Sequence, residues 1–114
     1  MCGRFLLESD IDEIIRSYNI YSKEITEYKK GDFYPSQEAL IVMEDEKRNL
    51  ASAKWGYAYN NRRPVINARS ETIMKKSMFK DSFYSARCII PVNQFYEWKD
   101  IGNRKKVKHR IGLK

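Results

Sequence analysis

The sequence is poor in the residues that build metal sites and cross-links. Histidine occurs once, at His109, and cysteine twice, at Cys2 and Cys88, with no Cys-x-x-Cys pair. That inventory argues against a structural zinc site. With two thiols and a reducing compartment, a disulfide is not expected either. No apolar run approaches the length of a membrane span, so no membrane partner is expected. Polar and acidic residues from Glu8 to Glu13 follow directly on Phe5-Leu6-Leu7, a pattern unlike a signal peptide. Internal repeats, linkers and low-complexity segments are also missing. These absences point to a cytoplasmic (or nucleoid-associated) protein, and the length of 114 residues to one domain, residues 1–114.

What is present fits a folded chain. Hydrophobic residues make up 42% and charged residues 32%, which sets it apart from a disordered polyelectrolyte. The formal net charge is +7, and it is unevenly placed. Residues 1–98 hold 15 Lys and Arg against 14 Asp and Glu, whereas residues 99–114 hold seven against one. A basic C-terminal segment suits a polyanion such as nucleic acid. It equally suits a solvated strand end.

Periodicity sketches the elements. Ile11, Ile14, Ile15 and Tyr18 share one face of an amphipathic helix ending near Asn19 or Ile20, with Asp10 and Glu13 spaced as a capping box. Residues 21–37 read as loop with one turn of helix. Residues 39–43 and 49–57 form a hairpin across the charged turn 44–48, with Ala51, Ala53, Trp55 and Tyr57 on one face. A short buried strand at 65–68, helices from Ser70 to Lys76 and Phe79 to Ser85, and a strand at 87–91 stopped by Pro91 follow. Residues 94–99 and 105–113 make a second hairpin, with Val107, His109, Ile111 and Leu113 alternating with Lys106, Lys108 and Arg110.

The first five residues, Met1-Cys2-Gly3-Arg4-Phe5, hold the most chemistry. Removal of Met1 leaves an α-amine and a thiol on adjacent carbons. Unperturbed, they titrate near ~8 and ~8.5, so both are partly nucleophilic at neutral pH. An aldehyde meeting this pair forms an imine with the amine, which the thiolate closes into a thiazolidine ring. A lone cysteine at position 2 is a weak signal. Its weight depends on the residues that accompany it.

Those companions carry a resemblance. Cys2-Gly3-Arg4-Phe5, Trp55-Gly56, the run from Ile66 to Thr72, and Arg87-Cys88-Ile89-Ile90-Pro91 followed by Phe95-Tyr96-Glu97-Trp98 resemble, in order and spacing, the SOS-response-associated peptidase family. The resemblance implies an α+β fold, mainly antiparallel β, with a bifurcated, barrel-like sheet and short helices around it. It also implies a sensor of abasic sites in single-stranded DNA that shields the lesion by a covalent thiazolidine link, with no cofactor and no metal. By the same resemblance Cys2 is the nucleophile, Asn67 orients the sugar, and Glu97 is the acid and base of imine formation. Arg4 and Arg69 pair phosphates, Pro35 lines the DNA face, and Tyr59, with Tyr34, offers a ring for unpaired bases.

Read by themselves, the same residues have plainer roles. Asn67 would satisfy backbone groups at a strand end, and Glu97 would be an exposed strand residue. Cys88 is a core thiol, Trp55 and Trp98 are core, and Glu71 supports a helix N-terminus. His109 is a core or edge residue. In the role that the resemblance implies, by contrast, Glu97, flanked by Tyr96 and Trp98, is expected to be desolvated, with the Cys2 amine as its polar partner.

The resemblance is to the family's first half. The segment that supplies the family's catalytic histidine is missing, and His109 does not replace it. The fold is therefore expected to be incomplete, with an unclosed sheet edge through which the chain can self-associate. Asp32 stands where relatives commonly carry asparagine, and Ser77 and Gln94 also depart from the family pattern. Two other readings stay open: a non-catalytic single-stranded DNA binding module, and an N-terminal-cysteine peptidase.

Overall fold

The computed structural model describes residues 1–114. Its elements run β1 (Phe5–Leu7), α1 (Ile11–Ser17), β2 (Ser22–Lys23), β3 (Gly31–Phe33), β4 (Glu38–Glu44), β5 (Arg48–Lys54), α2 (Ser77–Ser85), β6 (Gln94–Asp100) and β7 (Lys106–Gly112). They form two sheets. One is antiparallel, in the order β3-β1-β6-β7, and the other runs β2-β5-β4 with β2 parallel to β5. The fold is thus α+β, mostly antiparallel, with two open sheets and no closed barrel. No helix is long and apolar enough to cross a membrane.

The core lies where the sheets meet. Phe5 and Leu7 from β1, Phe33 from β3, Leu40 and Val42 from β4, and Leu50 from β5 are buried together, and Ile14 of α1 caps them. Phe5 stacks on Phe33, its cross-strand neighbour, at 5.0 Å between ring centres. Trp55 packs against Phe5 from the end of β5. A single backbone bridge, Val42 to Ile89, links the second sheet to the segment before β6. Because β1 is a central strand, the residues preceding it are carried along β6, which positions the N-terminus.

Several sequence expectations are corrected. Asp10 does precede α1, but its carboxylate makes no capping bond and pairs with Lys30 instead. The stretch 21–37 holds no helical turn; β2 and β3 form there by pairing with distant strands. β5 ends at Lys54, because Gly56 turns the chain with φ +108°, so Ala51, Ala53, Trp55 and Tyr57 do not form one strand face. Leu50, not the alanines, fills the core from β5. Residues 65–68 make one bridge, Tyr57 to Val65, rather than a strand. Residues 70–76 are successive turns, so Glu71 has no helix to support. Cys88 is exposed, not buried, although crowding by its neighbours pushes the thiol above its usual value.

Candidate functional site

A backbone hydrogen bond and an ion pair bring the N-terminus to β6. Tyr96 N–H donates to the Arg4 carbonyl at 3.0 Å, extending the β1–β6 pairing back toward residue 1. The terminal ammonium, here on Met1, then reaches Glu97, 3.1 Å from Oε1 and 3.2 Å from Oε2. Cys2 is half-buried, and its thiol donates to the Arg4 carbonyl at 3.5 Å.

Asn67 arrives from the loop after β5. Gly56 lets that loop double back: a Cβ there would lie 2.8 Å from Pro64 Cβ and 3.2 Å from Ile66 Cγ2. The reciprocal hydrogen bonds of Tyr57 and Val65, both 2.9 Å, close the loop, and Tyr57 packs edge-on against Phe79 of α2. Ile66 approaches Gly3, and the Asn67 amide donates to the Cys2 carbonyl at 3.2 Å. Residues 2, 67 and 97, far apart in sequence, thus converge. Removing Met1 would retract the ammonium by one residue, about 3.8 Å of chain, onto the Cys2 α-carbon, next to the carbon that bears the thiol.

Glu97 differs from its expected setting. Its side chain keeps 32% of its surface, Trp98 is 43% exposed, and Tyr96 points away. The carboxylate is therefore partly open to solvent rather than held in an aromatic enclosure. His109 stands directly across from Glu97 in the β6–β7 ladder, and its Nδ1 lies 3.1 Å from the Val107 carbonyl.

The expected DNA contacts are more dispersed. Arg4 is already engaged: its guanidinium pairs with Asp32 and lies 4.8 Å from the Tyr34 ring centre and 4.7 Å from that of Tyr96. The Tyr96 hydroxyl donates to the second Asp32 oxygen at 2.9 Å. The hydrogen bond to Arg4 holds the Asp32 carboxyl below its usual range, and the same bond raises the guanidinium. Arg4 Nε is buried without a partner. Pro35 is half-buried in the neighbouring turn, which is fixed by Tyr34 N–H on the Gln37 side chain. Arg69 is exposed two residues beyond Asn67, outside every ion pair of the chain. Tyr59 is exposed in the 58–63 loop and its backbone bonds only locally, to Arg62. A groove of about 520 Å³ between residues 24–30 and β3–β4 contains none of Cys2, Asn67 or Glu97.

The profile of the SOS response associated peptidase (SRAP) family matches residues 1–114. The abasic site processing protein YoqW of Bacillus subtilis (strain 168) is 38% identical over 123 residues, covering 100% of this chain and 55% of the relative. The abasic site processing protein YedK of Escherichia coli (strain K12) is 34% identical, over 93% of this chain and 51% of its own length. A crystal structure of a protein from Bordetella bronchiseptica superposes with a TM-score of 0.74 at 22% identity, over 96% of this chain and 56% of that one. The chain spans about half the length of the curated relatives it matches.

Proposed function

The chain belongs to the SOS response associated peptidase family, and from that membership we propose that it processes abasic sites in single-stranded DNA by covalent capture through Cys2. The observation that carries the reading is the convergence of the terminal ammonium on Glu97, with Asn67 bonded to the Cys2 backbone. With Met1 gone, the α-amine of Cys2 attacks the aldehyde carbon of the ring-opened sugar. Glu97 removes a proton from that nitrogen and returns one to the departing hydroxyl, so water leaves and an imine forms. The Cys2 sulfur then adds to the imine carbon, and the nitrogen takes up the thiol proton. The product is a thiazolidine, formed with net loss of one water. Asn67 holds the aminothiol in place and offers its amide to the sugar oxygens.

The experiment is intact mass spectrometry after incubation with an oligonucleotide bearing one abasic site. The expected adduct has the summed mass less one water and forms only on chains lacking Met1. Cys2→Ala abolishes it, and Glu97→Gln slows its formation by on the order of 10²-fold. Equal adduct with Cys2→Ala would refute the reading. A second reading rests on Met1, whose ammonium occupies Glu97. A chain that keeps Met1 has no aminothiol, and would bind single-stranded DNA without reacting.

A further inference from the structure

The β6–β7 hairpin presents a face that the covalent chemistry does not use. Cross-strand partners share a face, so Trp98 with Lys108, Tyr96 with Arg110, and Asp100 with Lys106 lie on the side opposite Glu97 and His109. Lys108 Nζ sits 4.3 Å from the Tyr96 ring centre, next to the Arg4–Asp32 pair. All of β7 is exposed, and Trp98 is 43% exposed. None of the chain's ion pairs involves a β7 cation. Alternate residues of a strand are about 6.8 Å apart, twice the ~3.4 Å rise. That is similar to the phosphate spacing of a stretched single strand.

We infer that this face is a docking surface for the sugar–phosphate backbone of single-stranded DNA, outside the Cys2 site. Lys106, Lys108 and Arg110 pair successive phosphates, and Trp98 stacks on a base between them. Charge complementarity selects the partner: three cations outside every ion pair, against the single carboxylate of Asp100 on the same face, in register with an indole, are the ingredients of a sequence-tolerant single-strand groove. Arg4 does not contribute, since Asp32 already neutralises it. The inference rests on the reading of the chain as one that acts on single-stranded DNA, but not on the covalent step.

The test is fluorescence anisotropy with a labelled oligothymidylate that has no abasic site, titrated across salt. Each lost phosphate contact lowers the slope of log affinity against log salt by about 0.7 for a single strand. Replacing Lys106, Lys108 and Arg110 together by alanine should lower the slope by about 2. The charge-conserving pair Lys106→Arg and Lys108→Arg should leave it unchanged, which guards against misfolding. Trp98→Ala should weaken binding by roughly 5- to 150-fold. A triple variant that folds and keeps the wild-type slope overturns the inference. So does one that keeps its slope but begins to self-associate, which would make the β7 cations guards of an open edge. Adduct formation on an abasic oligonucleotide is scored separately. A lowered slope without any adduct sinks the Cys2 chemistry and leaves this surface standing, and the converse pair of results does the reverse.

Discussion

At Arg4 a guanidinium lies between two phenol rings, with a carboxylate at its end. Asp32 therefore acts as a built-in substitute for a phosphate, and any nucleic acid must compete with it. Asp32→Asn should release that cation and steepen the salt dependence of oligothymidylate binding by about 0.7, one phosphate contact. The same pair sets an acid limit on stability. Its hydrogen bond to Arg4 holds the Asp32 carboxyl below its unfolded value. The folded state thus binds fewer protons than the unfolded state between those two values. The pair's contribution is fully present above the unfolded carboxylate value of about 3.9 and is lost as pH falls through the lower folded value. Asp10, bonded to Lys30, behaves alike. Denaturant midpoints measured from neutral pH down to about pH 2 should fall in that window, and Asp32→Asn should flatten the fall. At Asn67, removing the amide with Asn67→Ala leaves the Cys2 carbonyl without its donor. Adduct formation should slow roughly tenfold, the rate equivalent of one neutral hydrogen bond, while anisotropy on intact DNA stays unchanged. That Cys2, Asn67 and Glu97 come together was suggested by the short blocks of distinctive neighbours in which each sits. The Arg4–Asp32 pair was only half readable. The extra negative charge at 32 stands out in sequence, but its partner lies 28 residues away across the β1–β3 ladder, which no local pattern encodes.

At the scale of elements, strong periodicity was legible and borrowed structure was not. α1, β4, β6 and β7 each have enough alternation or helical spacing to declare themselves. β2 and β3 are two and three residues long, and exist because β5 and β1 supply their hydrogen-bond partners. The opposite failure occurs at 65–68 and 87–91. Both look like strands, yet each finds one bridge only, since little chain lies alongside to pair with them. The loop that carries Asn67 depends on a single backbone requirement. Gly56 combines φ +108° with a 2.8 Å approach to Pro64, so a methyl group there meets both strain and a clash. Gly56→Ala should destabilise the chain by about 1–3 kcal/mol, read by urea titration. If the loop instead relaxes away from Gly3, stability is spared, and the abasic adduct should form at least several-fold more slowly. A variant with unchanged stability and unchanged adduct rate would show that the close approach does not position Asn67.

For the whole molecule, the surface is larger than a compact domain of this size should have. A compact monomer of 13.6 kDa exposes about 6,600 Å², against 9257 Å² here. Its radius of gyration is 15.8 Å, where about 13 Å is expected for 114 residues. Part of the excess lies in the second hairpin, where β7 is exposed throughout. On the face shared with Glu97, Phe95, Val107 and Ile111 continue the apolar side of a sheet whose other members, Phe5 and Phe33, are buried. Beside them β7 leaves one row of backbone donors and acceptors unpaired, because it is the outer strand. An apolar stripe next to an open edge is satisfied by another chain, and a second copy of this one is always at hand. Sedimentation velocity should therefore show a weight-average mass that rises with concentration from the low micromolar range upward. Val107→Lys with Ile111→Lys places charge on that stripe without touching Lys106, Lys108 or Arg110. It should hold the chain as a monomer over the same range, and leave the salt dependence of DNA binding no shallower than in the parent. Were the parent monomeric throughout, or the double variant to associate as the parent does, the uncovered stripe would not be the contact. The unburied face of β6 and β7 would then simply be tolerated, and the marginal core around Leu50 would have to hold the fold unaided.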